Sequence, residues 1–227
     1  MSTGTIVLDE YGNPYSPRKQ GAGLANLEAA LDTLAYVSVD DCSKAKIELK
    51  DDPKETGVYT LKFNINNLSN EEVKYALSNL TMTESLSTAD PKYVAEKAYM
   101  LNPTTKVEVL GNGSIVNDEI TVEANGSVQV IYTLTLSEEE IKYIRQSFIN
   151  GMYVEGFVVL ESLTDDIDLS VPFLAFFGDW TKAPLFDKTY FEVESEAHSN
   201  SIDEEDKLKA DYYATTPLGT YYYSYII

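Results

Sequence analysis

The most regular stretch of this sequence is residues 127–136, in which apolar and polar side chains alternate. The apolar positions of the stretch are Val128, Val130, Tyr132, Leu134 and Leu136. The positions between them are mostly polar, with Ser127, Gln129, Thr133 and Thr135. A period of two over this length predicts a β-strand with one face buried and the other exposed.

Two further apolar runs follow at residues 152–160 and 169–180, and a helical pattern lies between the first strand and these runs. This pattern, residues 137–148, begins with Ser137 and Glu140 at the spacing of a capping box. Its apolar stripe consists of Ile141, Ile144 and Phe148. Strands joined by short connections, with one short helix inserted, predict a sandwich of two packed sheets.

The region from Tyr36 to Phe177 contains eight or nine predicted strands. In residues 58–66 the side chains expected to point inward are Tyr59, Leu61, Phe63 and Ile65. The dipeptide Asn125-Gly126 predicts a hairpin turn, and a change of phase at Leu80 and Met82 predicts a bulge. Residues 84–104 are polar and predict a long surface excursion.

The two ends of the sequence have a different character. Residues 24–34 predict an amphipathic helix whose apolar face needs a partner that residues 1–20 do not supply; its apolar side chains are Leu24, Leu27, Leu31 and Leu34. Residues 192–206 have the acidic composition of a linker. Residues 210–227 are rich in tyrosine and predict a strand whose partners lie beyond the end of the sequence.

Charge and composition exclude several classes of partner. With 17 Lys and Arg against 37 Asp and Glu, the 227 residues carry a net charge of −20, which repels nucleic acid and anionic lipid. The one cysteine excludes an internal disulfide. No apolar run is long enough for a membrane span, and residues 1–4 lack the pattern of a signal peptide. We therefore expect a cytosolic protein or a piece of a longer secreted protein.

Four short motifs carry a family resemblance. Residues 16–31, SPRKQGAGLANLEAAL, resemble the closing segment of a subtilisin-like serine protease domain. Three further segments are similar to the domain that follows it in large bacterial cell-envelope proteinases (lactocepin and the peptidases that cleave complement anaphylatoxin): VEANGS at 122–127, NGMYVEGFV at 150–158 and VPFLAFFGDW at 171–180. The resemblance implies a fibronectin-III-like sandwich packed beside a protease domain.

The resemblance divides the chain into three parts. Residues 1–35 correspond to the C-terminal tail and last helix of the catalytic domain, and residues 36–182 to an all-β, fibronectin-III-like sandwich. Residues 183–227 correspond to an acidic linker and the start of a further region. The fold expected is thus all-β, with one short helix before the sandwich.

The family's catalytic aspartate, histidine and serine motifs have no counterpart in this sequence. We therefore assign no catalytic, cofactor-binding or metal-binding residue, and we expect the chain alone not to be an enzyme. The resemblance implies a parent subtilisin-like serine endopeptidase on the bacterial cell surface. The expected partners are the parent's protease domain, which the sandwich would brace, and large protein substrates, whose access it would shape.

Individual side chains add little chemistry to this interpretation. His198 lies in an acidic, polar segment, and Cys42 follows two aspartates that would raise the pKa of its thiol, so neither favours catalysis. Asp165, Asp166 and Asp168 form an acidic turn that suits calcium, although a solvated turn fits them better. Glu155 lies in the middle of a predicted strand, where it either is buried against a cation or faces outward.

Two other functions stay open on the sequence alone. A stand-alone adhesion or carbohydrate-binding sandwich would use the C-terminal tyrosines, including Tyr221 and Tyr222, as its binding face. An independent hydrolase is disfavoured because no nucleophile and base are paired. If residues 24–34 are separated from a protease domain, we expect them to fold back on the sandwich, to pair between chains or to be disordered.

Overall fold

The computed structural model describes residues 1–39, 45–89, 94–117, 119–164, 166–182, 212–216 and 219–223. The strands in these ranges are β1 (Ala35–Ser38), β2 (Ile47–Asp52), β3 (Val58–Asn67), β4 (Val73–Leu86), β5 (Val94–Leu101), β6 (Thr104–Gly111), β7 (Gly113–Val116), β8 (Glu119–Val122), β9 (Ser127–Thr135), β10 (Met152–Ser162), β11 (Leu169–Phe177), β12 (Tyr212–Thr216) and β13 (Gly219–Tyr223). The helices are α1 (Pro17–Gln20), α2 (Leu27–Asp32) and α3 (Glu138–Ser147).

Strands β1 to β11 form two sheets that pack face to face. The first sheet has the order β1-β3-β9-β6, and the second has the order β2-β11-β10-β4-β8-β7, with β5 also paired to β4. Side chains from both sheets meet in one core, to which Phe63 and Tyr132 contribute from the first sheet and Val158 and Phe173 from the second. The predicted all-β sandwich is confirmed.

The alternating strands and the helix between them fold as predicted. All the apolar side chains expected to point inward from β3 and β9 are buried. At the start of α3, Ser137 and Glu140 form the predicted capping box, in which the Ser137 N–H donates to Glu140 Oε2 at 2.7 Å. Ile144 of this helix is fully buried in the core.

Several local predictions were wrong. The structure has eleven strands between Ala35 and Phe177 in the described ranges, rather than eight or nine. One additional strand is β5, since residues 84–104 extend β4 and form β5 rather than a surface excursion. Residues Tyr75 to Met82 of β4 pair with β10 in a continuous register, in which Met82 lies opposite Glu155. The predicted bulge is therefore absent from this pairing. The irregularity in β4 lies instead against β5, between Glu84 and Ser85.

The Asn125-Gly126 turn also differs from the prediction. Asn125 adopts a positive φ of 55°, as such a turn requires, but the strands on its two sides, β8 and β9, belong to different sheets. The turn is therefore a crossing between the sheets and not a hairpin. Local turn chemistry fixes the bend but not the pairing partner of the strand that follows.

The change of phase in β4 and the unbroken apolar run of β10 have a common cause. The first seven residues of β10 are all buried, and so are three consecutive residues of β4, Thr81 to Thr83. One face of these strands packs in the core. Near Glu155 the other face is covered by α1 and its neighbouring residues, which belong to residues 1–34, hereafter the N-terminal segment. A strand buried on both faces loses the period of two.

Gly156 allows β4 and β10 to approach closely at this covered position. A Cβ atom on Gly156 would lie 2.0 Å from the carbonyl oxygen of Leu80, a distance that no side chain can occupy. Position 156, next to Glu155, therefore requires glycine.

Helix α2 is shorter than the predicted helix over residues 24–34. Leu24 forms an antiparallel bridge with Thr5, and the helix then begins after Asn26, whose side chain accepts a hydrogen bond from the Ala29 N–H at 3.0 Å. Its leucines do not fold back on the sandwich, because Leu27 and Leu31 remain 75% and 76% exposed. Of the three alternatives for a separated segment, the folding back of these leucines is therefore wrong, and pairing between chains stays a prediction.

The tyrosine-rich end forms two strands where one was predicted. Strands β12 and β13 pair with each other, with Tyr212 opposite Tyr223, and further partners beyond the end of the sequence stay a prediction. Residues 192–206, predicted as a linker, lie outside the described residues. In the described residues, none of the helices has the length and apolar character needed to cross a membrane.

Candidate functional site

The most unusual polar residue of the sandwich is Glu155, whose side chain is 1% exposed in the middle of β10. A buried carboxylate requires a cation or several hydrogen bonds, because transfer of a charge from water is costly. The N-terminal segment supplies the cation, so the sequence-based alternative of a buried partner for a cation is the correct one.

Arg18, in α1, binds Glu155 through three hydrogen bonds. Its Nε and Nη2 atoms donate to Glu155 Oε1 at 2.9 and 2.6 Å, and its backbone N–H donates to Oε2 at 3.4 Å. Nη2 also donates to Glu84 Oε1 of β4 at 2.6 Å. One guanidinium therefore joins two strands of the second sheet, which the single ammonium group of a lysine could not do in the same geometry.

A cluster of aromatic side chains packs against one face of the Arg18 guanidinium. The Arg18 Cζ lies 4.1 Å from the ring centroid of Tyr153, within the range of a cation–π interaction. Tyr153 in turn packs edge-on against Phe176 and Trp180, with centroid distances of 5.4 and 6.0 Å. These rings exclude water from one side of the ion pair.

Burial and pairing act in opposite directions on the two charges. Burial raises the pKa of Glu155, and the hydrogen bonds and positive charge of Arg18 offset this only in part. Burial lowers the pKa of Arg18, but the hydrogen bonds and charge of Glu155 outweigh it, and the net shift is upward. The arginine therefore keeps its charge, and its removal would leave the carboxylate without compensation.

The sequence around Arg18 holds it in position. Pro17 starts α1, and Gly21, with φ of 65°, ends it after one turn. The Gln20 side chain bonds the neighbouring loop, since its Nε2 donates to the Tyr15 carbonyl at 2.6 Å and its Oε1 accepts from the Val7 N–H at 2.8 Å. The loop and the turn thus form one unit that presents Arg18 to the sheet.

Two further attachments join the N-terminal segment to the sandwich. At the beginning of the segment, the Ser2 carbonyl accepts from the Ser170 N–H at 2.7 Å, and Ser2 Oγ accepts from the Val37 N–H at 3.3 Å. At its end, the Leu34 N–H donates to Asp166 Oδ1 at 2.9 Å. With the Arg18–Glu155 pair between them, the segment is attached to the sandwich at its beginning, middle and end.

The outer side of the same segment is rich in exposed apolar side chains. Of the 18 exposed large apolar residues in the described ranges, eight lie within these 34 residues: Met1, Leu8, Tyr11, Tyr15, Leu24, Leu27, Leu31 and Leu34. A concentration of this kind is typical of an interaction site, whereas isolated exposed apolar residues are common. The segment therefore combines polar attachments to the sandwich with a high proportion of exposed apolar side chains.

Those other residues considered from the sequence that the structure describes do not assemble into a second site. Asp166 and Asp168 accept structural hydrogen bonds, from the Tyr75 hydroxyl at 2.6 Å and the Ser162 N–H at 2.8 Å. Among the described residues, no three His, Cys, Asp or Glu side chains are grouped so that they could hold a metal ion. Calcium at this turn stays a prediction.

Cys42, Asp165 and His198 lie outside the described residues, as do the side chains of Tyr221 and Tyr222. Sequence analysis missed Arg18, which appeared only as part of a family motif. The signal available was Glu155, the one charge within an apolar run, but nothing in the sequence selects its partner among 17 basic residues.

Comparison with known proteins agrees with the expected relationship. A PII-type proteinase of Lacticaseibacillus paracasei is 29% identical over 192 residues, which are 82% of this chain and 9% of that protein. A C5a peptidase of Streptococcus pyogenes serotype M1 is 26% identical over 216 residues, which are 93% of this chain and 17% of that protein. The chain thus spans less than a fifth of the length of these relatives, and the predicted homology to such proteinases is confirmed.

Among solved structures, a PapD-like domain of human CEP192 shares 10% of its residues with this chain at a TM-score of 0.37, covering 64% of this chain and 85% of that one. At this TM-score the two folds differ too much for the similarity to inform function. The Fn3-like domain family, in contrast, matches residues 47–174. Because this match covers more than half of its residues, the chain belongs to the Fn3-like domain family.

Proposed function

We propose that this Fn3-like domain is a non-catalytic brace of a subtilisin-like serine endopeptidase on the bacterial cell surface. The N-terminal segment is the layer through which the sandwich holds the catalytic domain. The observation that carries the proposal is the two-sided character of this segment, which is bound to the sandwich by polar contacts and presents leucines outward. The homology to PII-type proteinases and C5a peptidases supports it.

The geometry suits a brace because the segment is attached at three separated points. Ser2, Arg18 and Leu34 each bond a different part of the sandwich. A domain that is attached to a segment held in this way keeps a fixed orientation relative to the sandwich. A fixed orientation is what would shape the access of large protein substrates to a neighbouring catalytic site.

The proposal is tested in the full-length proteinase with the double substitution Leu27→Asp and Leu31→Asp. We expect faster thermal inactivation and a selective loss of cleavage of protein substrates compared with short peptides. Leu110→Asp is a matched control, because Leu110 is 56% exposed on β6, far from the segment in sequence. Equal inactivation rates in the double variant, the control and the wild type would refute the brace.

The surface location is tested separately by an immunoblot of the cell-envelope fraction with serum raised against this chain. A band far above 25.3 kDa supports a large parent proteinase. A band at that mass contradicts it, and favours a stand-alone sandwich.

A further inference from the structure

The bend at Asn112 and Gly113 joins the two sheets of the sandwich, since it links β6 of the first sheet to β7 of the second. Asn112 is exposed, and its backbone is bound to the chain on either side of the neighbouring crossing from β8 to β9. Its N–H donates to the Ser127 carbonyl at 3.0 Å, and its carbonyl accepts from the Glu123 N–H at 3.1 Å. These two bonds hold the two crossings side by side.

An asparagine that is followed by glycine can modify its own backbone. The glycine nitrogen attacks Cγ of the asparagine side chain, the proton of that nitrogen passes through the solvent to the side-chain nitrogen, and ammonia leaves as a succinimide ring closes. Water then opens the ring at one of its two carbonyls and gives aspartate or isoaspartate. The lack of a Cβ on glycine leaves its nitrogen accessible. This chemistry is one reason why asparagine is thermolabile in proteins.

Three such dipeptides occur in the sequence: Asn112-Gly113, Asn125-Gly126 and Asn150-Gly151. The fold restrains the attacking nitrogen in two of them. The Gly126 N–H donates to the Glu123 carbonyl at 2.9 Å. The Gly151 N–H donates to the Phe148 carbonyl at 3.0 Å. At these two positions a hydrogen bond must break before the nitrogen can attack.

The nitrogen of Gly113 makes no such bond. Asn112 and Glu123 form a bonded pair that continues the register of β7 and β8, and Gly113 opposite Val122 is the next pair. Because bonded and non-bonded pairs alternate along an antiparallel ladder, the Gly113 N–H points away from β8. Strand β7 is at the edge of its sheet, and in the described part of the chain this N–H has no backbone acceptor.

The side-chain amide of Asn112 is unbound as well. It makes no hydrogen bond to any of the residues that the structure describes, whereas Asn125 Nδ2 donates to Asn70 Oδ1 at 3.1 Å. We infer that Asn112 is a site of spontaneous deamidation in the folded protein, with Gly113 as the nucleophile and water as the second reactant. This inference goes beyond the proposed function and does not depend on it.

The isoaspartate product would change the bend that carries it. Its backbone runs through the former side-chain carbonyl and is one methylene longer, so the N–H and the carbonyl of residue 112 move apart. The bonds to Ser127 and Glu123 depend on their present spacing. The space is also restricted, since a Cβ on Gly126 would lie 3.2 Å from Asn112 Cβ. Formation of isoaspartate at this position should therefore loosen the two crossings.

The test incubates the full chain in a mildly alkaline buffer, folded and, in parallel, unfolded in concentrated urea. Peptide mapping by mass spectrometry follows the three dipeptides. In urea they should react at similar rates, because the reacting dipeptide is the same. In the folded chain Asn112 should react at least about fivefold faster than Asn125 and Asn150, the factor that corresponds to one typical hydrogen bond.

The control variant is Asn112→Gln, whose longer side chain does not form the succinimide ring, so position 112 should stay unmodified. Gly113 cannot be replaced instead, because a Cβ there would lie 2.1 Å from the Thr121 carbonyl oxygen. Faster reaction at Asn125 or Asn150 in the folded chain would overturn the inference. Equal rates at the three positions, or no reaction at Asn112, would overturn it as well.

A second readout tests the effect on the fold. The isoaspartate fraction, separated by ion exchange and identified by peptide mapping, should unfold at a lower temperature than freshly purified Asn112→Asp. This variant has the same charge and an unaltered backbone, so the comparison isolates the added methylene. Equal thermal midpoints would overturn the loosening of the crossings.

Discussion

Removal of the Arg18 side chain is the sharpest test of how the N-terminal segment is held. Arg18→Ala leaves Glu155 in a site where it is 1% exposed, with Tyr153 and the strands of the second sheet around it. Breaking a buried ion pair from one side typically costs about 3–5 kcal/mol, because the remaining charge has no compensation. We expect Arg18→Ala to lower the free energy of unfolding by about this amount.

The magnitude depends on burial, and the chain contains a matched pair that is not buried. Arg145 binds Glu55 at 2.6 Å, the same length as the Arg18–Glu155 contact, but its side chain is 52% exposed and that of Glu55 is 37% exposed. Exposed pairs contribute about 0–1 kcal/mol. Arg145→Ala should therefore cost no more than about 1 kcal/mol, although the two salt bridges look alike in distance.

A second comparison separates the buried charge from the loss of contact area. Replacement of both partners, Arg18→Met with Glu155→Leu, removes the charges and keeps apolar volume. Such replacements are often neutral or stabilising, so the double variant should recover most of the stability that Arg18→Ala loses. Urea unfolding of the 227-residue chain, followed by tryptophan fluorescence, measures the free energies of unfolding of the wild type, Arg18→Ala, Arg145→Ala and the double variant. The one tryptophan, Trp180, reports on the site because it packs against Tyr153, which contacts Arg18.

Two results would refute this reasoning. A cost of about 1 kcal/mol or less for Arg18→Ala, equal to that of Arg145→Ala, would show that water reaches Glu155 and that the pair behaves as a surface contact. A double variant as unstable as Arg18→Ala would show that the contact area of Arg18, rather than compensation of Glu155, holds the segment.

Two further predictions concern the same part of β10. Glu155→Gln tests the pH dependence of stability. Burial raises the folded-state pKa of Glu155 above its unfolded-state value of about 4.3. The titration of Glu155 therefore stabilises the folded state fully below the unfolded-state pKa, and this stabilisation is lost as the pH rises through the folded-state pKa. The wild type should therefore lose stability relative to Glu155→Gln as the pH rises from about 4 toward neutral, and a relative gain over this range in pH-dependent unfolding experiments would contradict the direction. Gly156→Ala places a Cβ 2.0 Å from the Leu80 carbonyl oxygen and should cost at least about 3 kcal/mol or prevent folding. Gly21→Ala, at a positive φ of 65° but with open space around it, should cost less, about 1–3 kcal/mol, and equal unfolding free energies for the two variants would refute the steric argument.

The sequence was sufficient for those strands that are buried on one face only. In β3 and β9 the alternation of side chains identified the inward residues correctly, because core and solvent differ at every second position. The capping box of α3 was equally readable, since Ser137 and Glu140 satisfy each other within one turn. Local chemistry and a single buried face are the conditions under which a pattern determines a structure.

The errors occurred where a second layer covers the sheet. The N-terminal segment covers the outer face of β4 and β10 near Glu155, so Met82 and Thr83 are both buried and the pattern of β4 changes phase without a bulge in its pairing with β10. The candidate site lies at this same covered place, and its arginine, Arg18, was missed for the same reason. Arg18 and Glu155 are 137 residues apart, and only the docking of the segment brings them together.

This coincidence links the site to the proposed function. Burial of a charged side chain in a covered sheet lowers stability unless the charge is paired. An apolar residue at position 155 could be buried without any such partner. Glu155 instead makes the choice of the covering segment specific. A segment with an arginine at this place pairs with the carboxylate, whereas any other segment would bury the carboxylate unpaired. The ion pair therefore favours a segment with an arginine in this register over any other. In the proposed brace, it would place the exposed leucines of that segment in a defined position for the catalytic domain.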